Sequence, residues 1–185
     1  MAGERKQQIL ETLAKMLESP KREKITTASL AARLDVSEAA LYRHFANKAQ
    51  MFEGLIVFIE ETIFGLINKI GTEETDGLRQ AQRIITMLLV FAEKNPGMTR
   101  VLIGDALVNE DEKLQLRINQ LYDRIEVTLK QSLRIAETQT GNKIEAEAQA
   151  NLMICYVIGR WQQFAKSGFK RKPTEFAHQQ LHLLN

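Results

Sequence analysis

Apolar residues recur at spacings of three and four along almost the whole of this 185-residue sequence. That spacing places them on one side of an α-helix, whereas the alternating apolar pattern of half-buried strands is absent from the sequence. Only three prolines and ten glycines interrupt the chain, so the segments between breaks are long. The pattern predicts an all-α protein of about nine helices.

The predicted helices are separated by short polar segments, one of which is SPKREK at residues 19–24. In chain order the helices are predicted to begin near residues 4, 27, 37, 47, 78, 96, 110, 142 and 174. Three asparagines are placed to cap helices: Asn47 with Gln50, Asn95 before a proline, and Asn142 with Glu145.

Residues 26–48, TTASLAARLDVSEAALYRHFANK, predict a helix, a sharp turn and a second helix. Thr27 can cap the first helix, and the side-chain oxygen of Ser37 can cap the second. Leu41 and Phe45 lie four residues apart, so they share one buried face of the second helix. The spacing therefore indicates a helix-turn-helix, although two amphipathic helices that merely pack together would show the same spacing.

The other faces of the second helix carry side chains suited to the major groove of DNA. Its alanines keep the helix slim and can touch a thymine methyl group, and Arg43 can reach guanine or a phosphate. Tyr42, His44 and Lys48 are placed to donate to phosphates, which fix register rather than sequence. The predicted DNA-binding residues are Thr27, Ser37, Glu38, Ala39, Ala40, Tyr42, Arg43, His44 and Lys48.

The segment VSEAALYRHFANK resembles the DNA-reading segment of TetR-family regulators, with its Tyr-x-His-Phe followed by Asn-Lys. The resemblance implies a TetR-like fold: a helix-turn-helix domain, placed at residues 1–50, on a helical dimerisation body, placed at residues 51–185. The turn departs from the family pattern, because Asp35 stands where glycine is usual. Aspartate tolerates a left-handed backbone better than most residues, so DNA binding is still expected.

The distribution of charge agrees with double-stranded DNA as a partner. Residues 1–50 hold nine basic and six acidic side chains, whereas the remaining residues hold sixteen and seventeen. The net charge of +2 is small, but the excess lies at the end of the chain that is predicted to face phosphates.

Several other classes of protein are disfavoured by the sequence. No apolar run reaches the ~20 residues of a membrane helix, and no apolar signal segment opens the chain, so a cytoplasmic, nucleoid-associated protein without a membrane partner is expected. His178 and His182 lie four apart, but HQQLH lacks the glutamate of a zinc-protease helix and a third ligand. The single cysteine, Cys155, is expected to be a small buried apolar residue. We expect no enzyme, no metal and no cofactor.

The eighth predicted helix, NLMICYVIGRWQQFAKS, is apolar around much of its circumference. It is either a central core helix or a helix shared between the core and a two-fold interface. We favour the second, because dimers reading paired half-sites are the usual solution for a head with one reading helix. The predicted interface residues of the homodimer are Gly159, Trp161 and Phe164.

Stretches of the body, including FAEKNPGMTRVLIGDAL and RINQLYDRIEVTLKQSLR, resemble a branch of the TetR family whose members act in nucleoid occlusion. The resemblance implies that the DNA-bound protein binds the C-terminal tail of FtsZ in a groove of the fourth and fifth helices and antagonises FtsZ polymers. Phe58, Lys94 and Asn95 match the expected partner-binding positions. Leu66 stands where arginine is expected and Val90 where glycine is expected.

A ligand-responsive TetR-type repressor is the alternative function. It would need a cavity in the body, lined by residues such as Met87, Phe91, Leu102, Met153 and Tyr156, and an effector that favours the form unable to bind DNA. Because such residues fill a solid core equally well, the sequence leaves this alternative open.

Overall fold

A computed structural model of the protein describes residues 2–19 and 25–184. Over these residues the backbone forms nine α-helices and one 3-10 turn and contains no strand, which confirms the predicted all-α fold. The helices are α1 (Ala2–Leu17), α2 (Thr27–Arg33), α3 (Glu38–Tyr42), α4 (Lys48–Glu73), α5 (Gly77–Lys94), α6 (Pro96–Leu102), α7 (Glu112–Thr140), α8 (Ala146–Lys166) and α9 (Ala177–Leu181), with the 3-10 turn at Asp105–Leu107.

The predicted cap of α4 is confirmed and that of α8 is wrong. Asn47 Oδ1 accepts from the Gln50 N–H at 2.9 Å, and Gln50 Oε1 accepts in turn from the Ala46 N–H at 2.9 Å. By contrast, α7 continues to Thr140, and Glu145 occupies the N-cap of α8 with no side-chain cap bond. Asn142 therefore lies within the connection. Apart from Ser19, the polar loop predicted at residues 19–24 lies outside the described residues.

The chain divides into two compact units of contacting residues, and the functional division at residue 50, which follows the helix-turn-helix motif, stays a prediction. The first unit comprises Met1–Ile59 and Asn95–Ile118, and the second comprises Glu60–Lys94 and Asn119–Asn185. The long helices α4 and α7 each contribute to both units. The sequence division follows the helix-turn-helix motif alone, whereas the compact unit around that motif also contains α6 and the 3-10 turn.

In the first unit, α1 packs against both α2 and α6. Arg100 of α6 donates to the carbonyl oxygens of Leu17 and Ser19 at 3.1 and 3.3 Å, and to the Asp105 carboxylate at 3.2 Å. Carbonyls at the C-terminal end of a helix lack intrahelical partners, so this guanidinium satisfies groups that would otherwise need water. Arg100 thereby fastens α6 to the end of α1.

In the second unit, α5 packs against α8, and the indole N–H of Trp161 donates to the carbonyl oxygen of Leu88 at 3.1 Å. Trp161 is fully buried, and Phe164 is also buried. Both side chains belong to the core of one protomer, so their predicted place in a dimer interface is corrected. Cys155, expected to be buried, is exposed, because α8 turns only one side toward α5.

The C-terminal segment is attached to α5 through Glu93. Its carboxylate accepts a hydrogen bond from the Thr174 hydroxyl and lies 3.3 Å from the Lys172 ammonium. These two partners, the Thr174 hydrogen bond foremost, hold the pKa of Glu93 below its ordinary value against the opposing effect of burial. A lowered pKa means that the folded state binds the proton less tightly than the unfolded state, so the stabilisation is present above the ordinary carboxyl pKa.

Glu93→Gln is expected to lower the free energy of unfolding at neutral pH by about 1 kcal/mol, the scale of a hydrogen bond to a partly exposed charge. The difference from the native protein should be constant at neutral pH and should vanish as the pH falls through the lowered pKa of Glu93. Urea unfolding at a series of pH values measures it. Glu175→Gln, at an exposed position, is the matched control, and an equal, pH-independent loss in both variants would contradict the assignment.

Candidate nucleic-acid interface and partner groove

The N-cap of α2, the first helix of the helix-turn-helix, is Thr26 rather than the predicted Thr27. Thr26 Oγ1 accepts from the Ser29 N–H at 3.1 Å, and Ser29 Oγ accepts from the Thr26 N–H at 3.0 Å. This reciprocal pair is a capping box, which requires a polar residue three positions after the cap. With Thr26 as the cap, the Thr27 hydroxyl is available for other contacts.

The second helix begins as predicted. Ser37 Oγ accepts from the Ala40 N–H at 3.3 Å, and Leu41 and Phe45 are both buried. The helical hydrogen bond from the Phe45 N–H to the Leu41 carbonyl, at 3.1 Å, extends the turn beyond Tyr42. The backbone at Asp35 is left-handed, with φ of 54°, and so adopts the conformation for which glycine is usual.

Thr27 is linked to two other predicted DNA-binding residues. Its hydroxyl donates to the Glu38 carboxylate at 2.6 Å and accepts from the Tyr42 hydroxyl at 3.3 Å. The three groups join the start of α2 to α3, while Tyr42 remains 45% exposed. Because these contacts restrict Glu38 and Tyr42 in the free protein, less side-chain entropy remains to be lost on binding.

The remaining residues of the predicted DNA surface differ in their exposure. Ser37, Ala39 and Arg43 are exposed, and Ala40 and His44 are half-buried. An exposed alanine and arginine one helical turn apart suit direct contact with base edges. The structure therefore brings eight of the nine predicted residues to α2 and α3 and the connections that flank α3.

Lys48, the ninth residue, is engaged in an ion pair that the sequence did not suggest. Its ammonium pairs with the Glu110 carboxylate, and the two side chains are only 23% and 15% exposed. Its ammonium also lies 5.5 Å from the centroid of the Phe52 ring. Because the Glu110 carboxylate offsets its charge, Lys48 attracts a phosphate less strongly than an unpaired lysine would. Glu110 lies 62 residues further along the chain, and no local pattern connects the two positions.

Glu110→Gln is expected to raise the affinity for DNA about two- to fivefold, because an ion pair of this kind contributes roughly 0.5–1 kcal/mol. The increase should be the same on specific and random DNA, since phosphate contacts carry no sequence information. Fluorescence anisotropy at several salt concentrations measures it.

Lys48→Ala is the companion variant to Glu110→Gln. It should weaken binding and lower the slope of log affinity against log salt by about one. The double variant Lys48→Ala/Glu110→Gln should match Lys48→Ala alone. Unchanged affinity in all three variants would assign Lys48 a purely structural role.

A groove of about 680 Å³ lies in the second unit between the C-terminal half of α4 and α5. The two departures noted in the sequence, Leu66 and Val90, both line it, and Leu66 is 39% exposed. Its lining combines apolar side chains with charged ones of both signs, namely Leu66, Ile70, Met87, Val90 and Leu181 with Lys69, Arg79, Arg83, Glu73 and Glu74. A groove with an apolar lining beside cations suits a peptide that has apolar and acidic side chains.

The cations of this groove were missed in the sequence. Arg83 donates to the Glu73 carboxylate at 3.0 Å, and the Lys69 ammonium lies 3.6 Å from the same carboxylate. The four-residue spacing of Arg79 and Arg83 was a visible signal that both share one face of α5. The three cations occupy the groove in which the arginine expected at residue 66 is missing.

The predicted partner-binding residues are distributed over both units. Phe58, on α4 in the first unit, is half-buried. Lys94 ends α5 in the second unit and is exposed, and Asn95, in the first unit, is half-buried at the N-cap of α6. Their role in binding a partner stays a prediction.

His178 and His182, the two histidines four residues apart, lie next to each other at α9. Their rings meet edge to face with centroids 5.0 Å apart. Among the described residues no group of three or more His, Cys, Asp or Glu side chains is placed to hold a metal ion. No helix within residues 2–19 and 25–184 is both long enough and apolar enough to cross a membrane.

Two family matches account for most of the chain. Residues 22–55 match the family described as bacterial regulatory proteins, tetR family. Residues 75–185 match the family described as tetracyclin repressor-like, C-terminal domain, of the SlmA-like type. Together with the helix-turn-helix geometry, these matches define a regulatory protein of the TetR class.

Two curated relatives show to which branch of the TetR class the chain is similar. The nucleoid occlusion factor SlmA of Alteromonas mediterranea is 54% identical over 178 residues, which cover 95% of this chain and 91% of that protein. The protein of the same name from Shewanella pealeana is 51% identical, with coverages of 95% and 90%. The chain belongs to the SlmA family of nucleoid occlusion factors.

Solved structures confirm the fold. The TetR-family transcriptional regulator PfmR from Thermus thermophilus has a TM-score of 0.77 at 22% identity, covering 95% of this chain and 96% of that one. The fatty acid degradation regulator FadR from Bacillus halodurans has a TM-score of 0.79 at 16% identity, covering 97% and 93%. At these identities the likeness concerns the fold alone.

Proposed function

We propose that this protein is a nucleoid occlusion factor that binds specific DNA sites as a homodimer and, when bound, inhibits FtsZ assembly over the chromosome. The observation that carries the proposal is the identity of 54% to a curated nucleoid occlusion factor over 95% of the chain. The exposed Ala39 on α3 and the exposed Arg43 at its C-cap support sequence-specific reading, and Tyr42 and Lys48 support contact with phosphates.

Dimerisation is proposed through the outer faces of α7 and α8. Val127 of α7 and Leu152 of α8 are both 52% exposed, and their chain neighbours Glu126 and Asn151 are hydrogen-bonded to each other at 3.3 Å. Exposed apolar side chains that adjoin one another mark interaction surfaces. Gly159 is exposed, and a Cβ added there would meet open space within the protomer. The dimer surface is therefore the exposed side of α8 that contains Leu152 and Gly159, and its test is the mass in solution by light scattering.

The groove between α4 and α5 is the proposed site for the FtsZ tail, with Lys94 at the end of the same α5. Leu66 and Met87 supply apolar contact, and Arg79 supplies a cation for an acidic tail residue. Phe58, Lys94 and Asn95 do not line this groove, and their role in binding a partner stays a separate prediction. Because Arg79 and Lys69 line the groove, the leucine at residue 66 does not remove all positive charge from it.

Sedimentation of FtsZ polymers tests the proposal. Less FtsZ should sediment when the protein is added together with duplex DNA selected from a random pool for binding to it. Leu66→Glu replaces an apolar contact of the groove with a negative charge that repels an acidic tail residue, so this variant should weaken binding of the FtsZ tail at least about tenfold. It should still bind DNA.

Leu116→Glu is the matched control, because Leu116 is also exposed and leucine but lies on α7 outside the groove. It should inhibit FtsZ as the native protein does. FtsZ sedimentation that is unaffected by the native protein with its DNA would refute the mechanism. Equal loss in both variants would refute the groove as its site.

A ligand-responsive repressor is the second candidate, favoured by the size of the groove, since 680 Å³ lies within the range of small-molecule sites. Of the residues proposed to line an effector cavity, Phe91, Leu102 and Met153 are buried core residues, and Met87 lines the open groove. A chromosome-wide binding map separates the candidates. Many scattered sites support nucleoid occlusion, whereas one or two promoter sites support the repressor.

A further inference from the structure

The connection between α8 and α9 carries an unusual concentration of positive charge. Residues 166–175 hold four basic side chains and one acidic one, a net charge of +3 in a chain whose total is +2. We call residues 166–172 the basic loop. Its cations are all exposed, namely Lys166, Lys170, Arg171 and Lys172. Neither the helix-turn-helix nor the α4–α5 groove includes them.

The backbone of the basic loop is held in one conformation at its start. Ser167 Oγ accepts from the N–H groups of Lys170 and Arg171 at 3.1 and 2.9 Å. Gly168 and Phe169 are both left-handed, and the Phe169 ring packs edge-on against Phe164 with centroids 5.2 Å apart. The residues that carry the charges are therefore anchored to the core by an aromatic side chain.

A buried arginine holds the end of the loop. Arg160 Nη2 donates to the carbonyl oxygens of Lys172 and Glu175, both at 2.8 Å, and its Nε donates to that of Pro173 at 3.1 Å. Arg160 is only 9% exposed. A largely buried guanidinium on α8 therefore fixes the backbone of residues 172–175. A segment that served only as a solvated linker would not need such a clamp.

Two features of this surface are unexplained by folding. Within the described part of the chain, neither Lys170 nor Arg171 pairs with a carboxylate, whereas Lys172 pairs with Glu93. Phe176 is 58% exposed and has a φ of 62°. A left-handed conformation is costly for a bulky residue and persists where the surroundings impose it, commonly at functional sites. The hydrogen bonds from Arg160 to the carbonyls of Lys172 and Glu175 fix the backbone between the cations and Phe176, which follows Glu175 in the chain.

We propose that the basic loop and Phe176 form a docking surface for an acidic peptide segment of a protein partner, with an apolar residue of the peptide against the Phe176 ring and its carboxylates on Lys170 and Arg171. Nucleic acid or an anionic membrane would present negative charge continuously and would meet the carboxylates of Glu93 and Glu175. A peptide carries its carboxylates at separate positions, so they can contact Lys170 and Arg171 without lying next to Glu93 and Glu175.

Fluorescence anisotropy with the full chain tests the surface. The probe is a fluorescein-labelled synthetic peptide that alternates glutamate with phenylalanine and glycine, and the same peptide with glutamine is its neutral counterpart. Lys170→Glu/Arg171→Glu should weaken binding of the acidic peptide at least about tenfold, and Phe176→Ala about fivefold. Lys113→Glu/Lys143→Glu, two charge reversals at exposed positions on other segments, should leave binding within about twofold of the native protein.

The proposal is overturned if the acidic peptide shows no saturable binding, if the glutamine peptide binds equally, or if the control pair loses as much affinity as the loop pair. Duplex DNA of random sequence and vesicles of phosphatidylglycerol are measured in parallel. If the loop variant loses affinity for either of these and not for the peptide, the surface belongs to nucleic acid or membrane and the proposal fails. Unchanged thermal melting of the loop variant confirms that the residues act at the surface.

Discussion

Replacing Gly97 with alanine is expected to destabilise the first compact unit by more than about 3 kcal/mol, beyond the usual range for an overpacked site. A Cβ at this position would lie 1.9 Å from the carbonyl oxygen of Ala14 and 3.2 Å from the Cβ of Leu17. The first contact is with backbone, which cannot turn aside as a flexible side chain can. α1 and α6 would have to move apart, and α1 also packs against α2.

Chemical denaturation with urea measures this loss, and Gly65→Ala is the matched control. Gly65 lies on α4 and is exposed, and a Cβ there would meet nothing within 4 Å. Alanine at such a helical position should stabilise the protein by roughly 0.5–1 kcal/mol. Two variants with the same chemical change should therefore shift stability in opposite directions. A Gly97→Ala midpoint equal to that of the native protein would show that the close approach of α1 and α6 is not required.

Trp161→Ala is expected to lower the free energy of unfolding by about 3–5 kcal/mol, as truncation of a buried aromatic residue does. The side chain is fully buried, its N–H is bonded to the Leu88 carbonyl, and its ring centroid lies 6.3 Å from that of Tyr122. Trp161→Phe keeps most of the apolar area and removes the hydrogen bond, so it should cost only about 1–2 kcal/mol. Both variants remove the single tryptophan of the chain, so their unfolding is measured by circular dichroism instead of fluorescence.

The same experiment separates folding from dimerisation. Asn68→Ala changes an exposed residue of α4, outside the proposed dimer surface, and should alter stability by less than about 0.5 kcal/mol. If Trp161→Ala retained native stability but halved the mass in solution, the original assignment of Trp161 to the dimer interface would be restored. A large loss of stability, with dimerisation lost only by unfolding, agrees with the core position that the structure shows.

The helix-turn-helix was predictable because the interactions that specify it are local. The cap of α3 joins Ser37 to Ala40, and the buried pair Leu41 and Phe45 is four residues apart. Contacts of this kind are made within about one helical turn, so a sequence window contains both partners. The choice of Thr26 over Thr27 was missed although its signal is equally local, because both threonines can cap and Ser29, three residues after Thr26, decides between them.

Which residues of α8 are exposed and which are buried was predicted less well. Apolar residues around α8 indicate burial on more than one side, but they do not show which side faces its own core. Trp161 faces α5 within the protomer, whereas Leu152 and Cys155 are exposed on the same helix. The rotation of a helix about its axis is fixed by the helices that pack against it, and those neighbours are distant in sequence.

By itself the sequence determined the helical class, the position of the DNA-reading motif, the Ser37 cap of its second helix, and the family. These properties follow from periodicity, capping and motif spacing, all of which involve residues close together in the sequence. Only the tertiary structure decided that Lys48 pairs with Glu110, that Gly97 meets the backbone of Ala14, and that Leu66 and Val90 share one groove. Each of these arrangements joins residues more than twenty positions apart, and it exists only once the helices have packed.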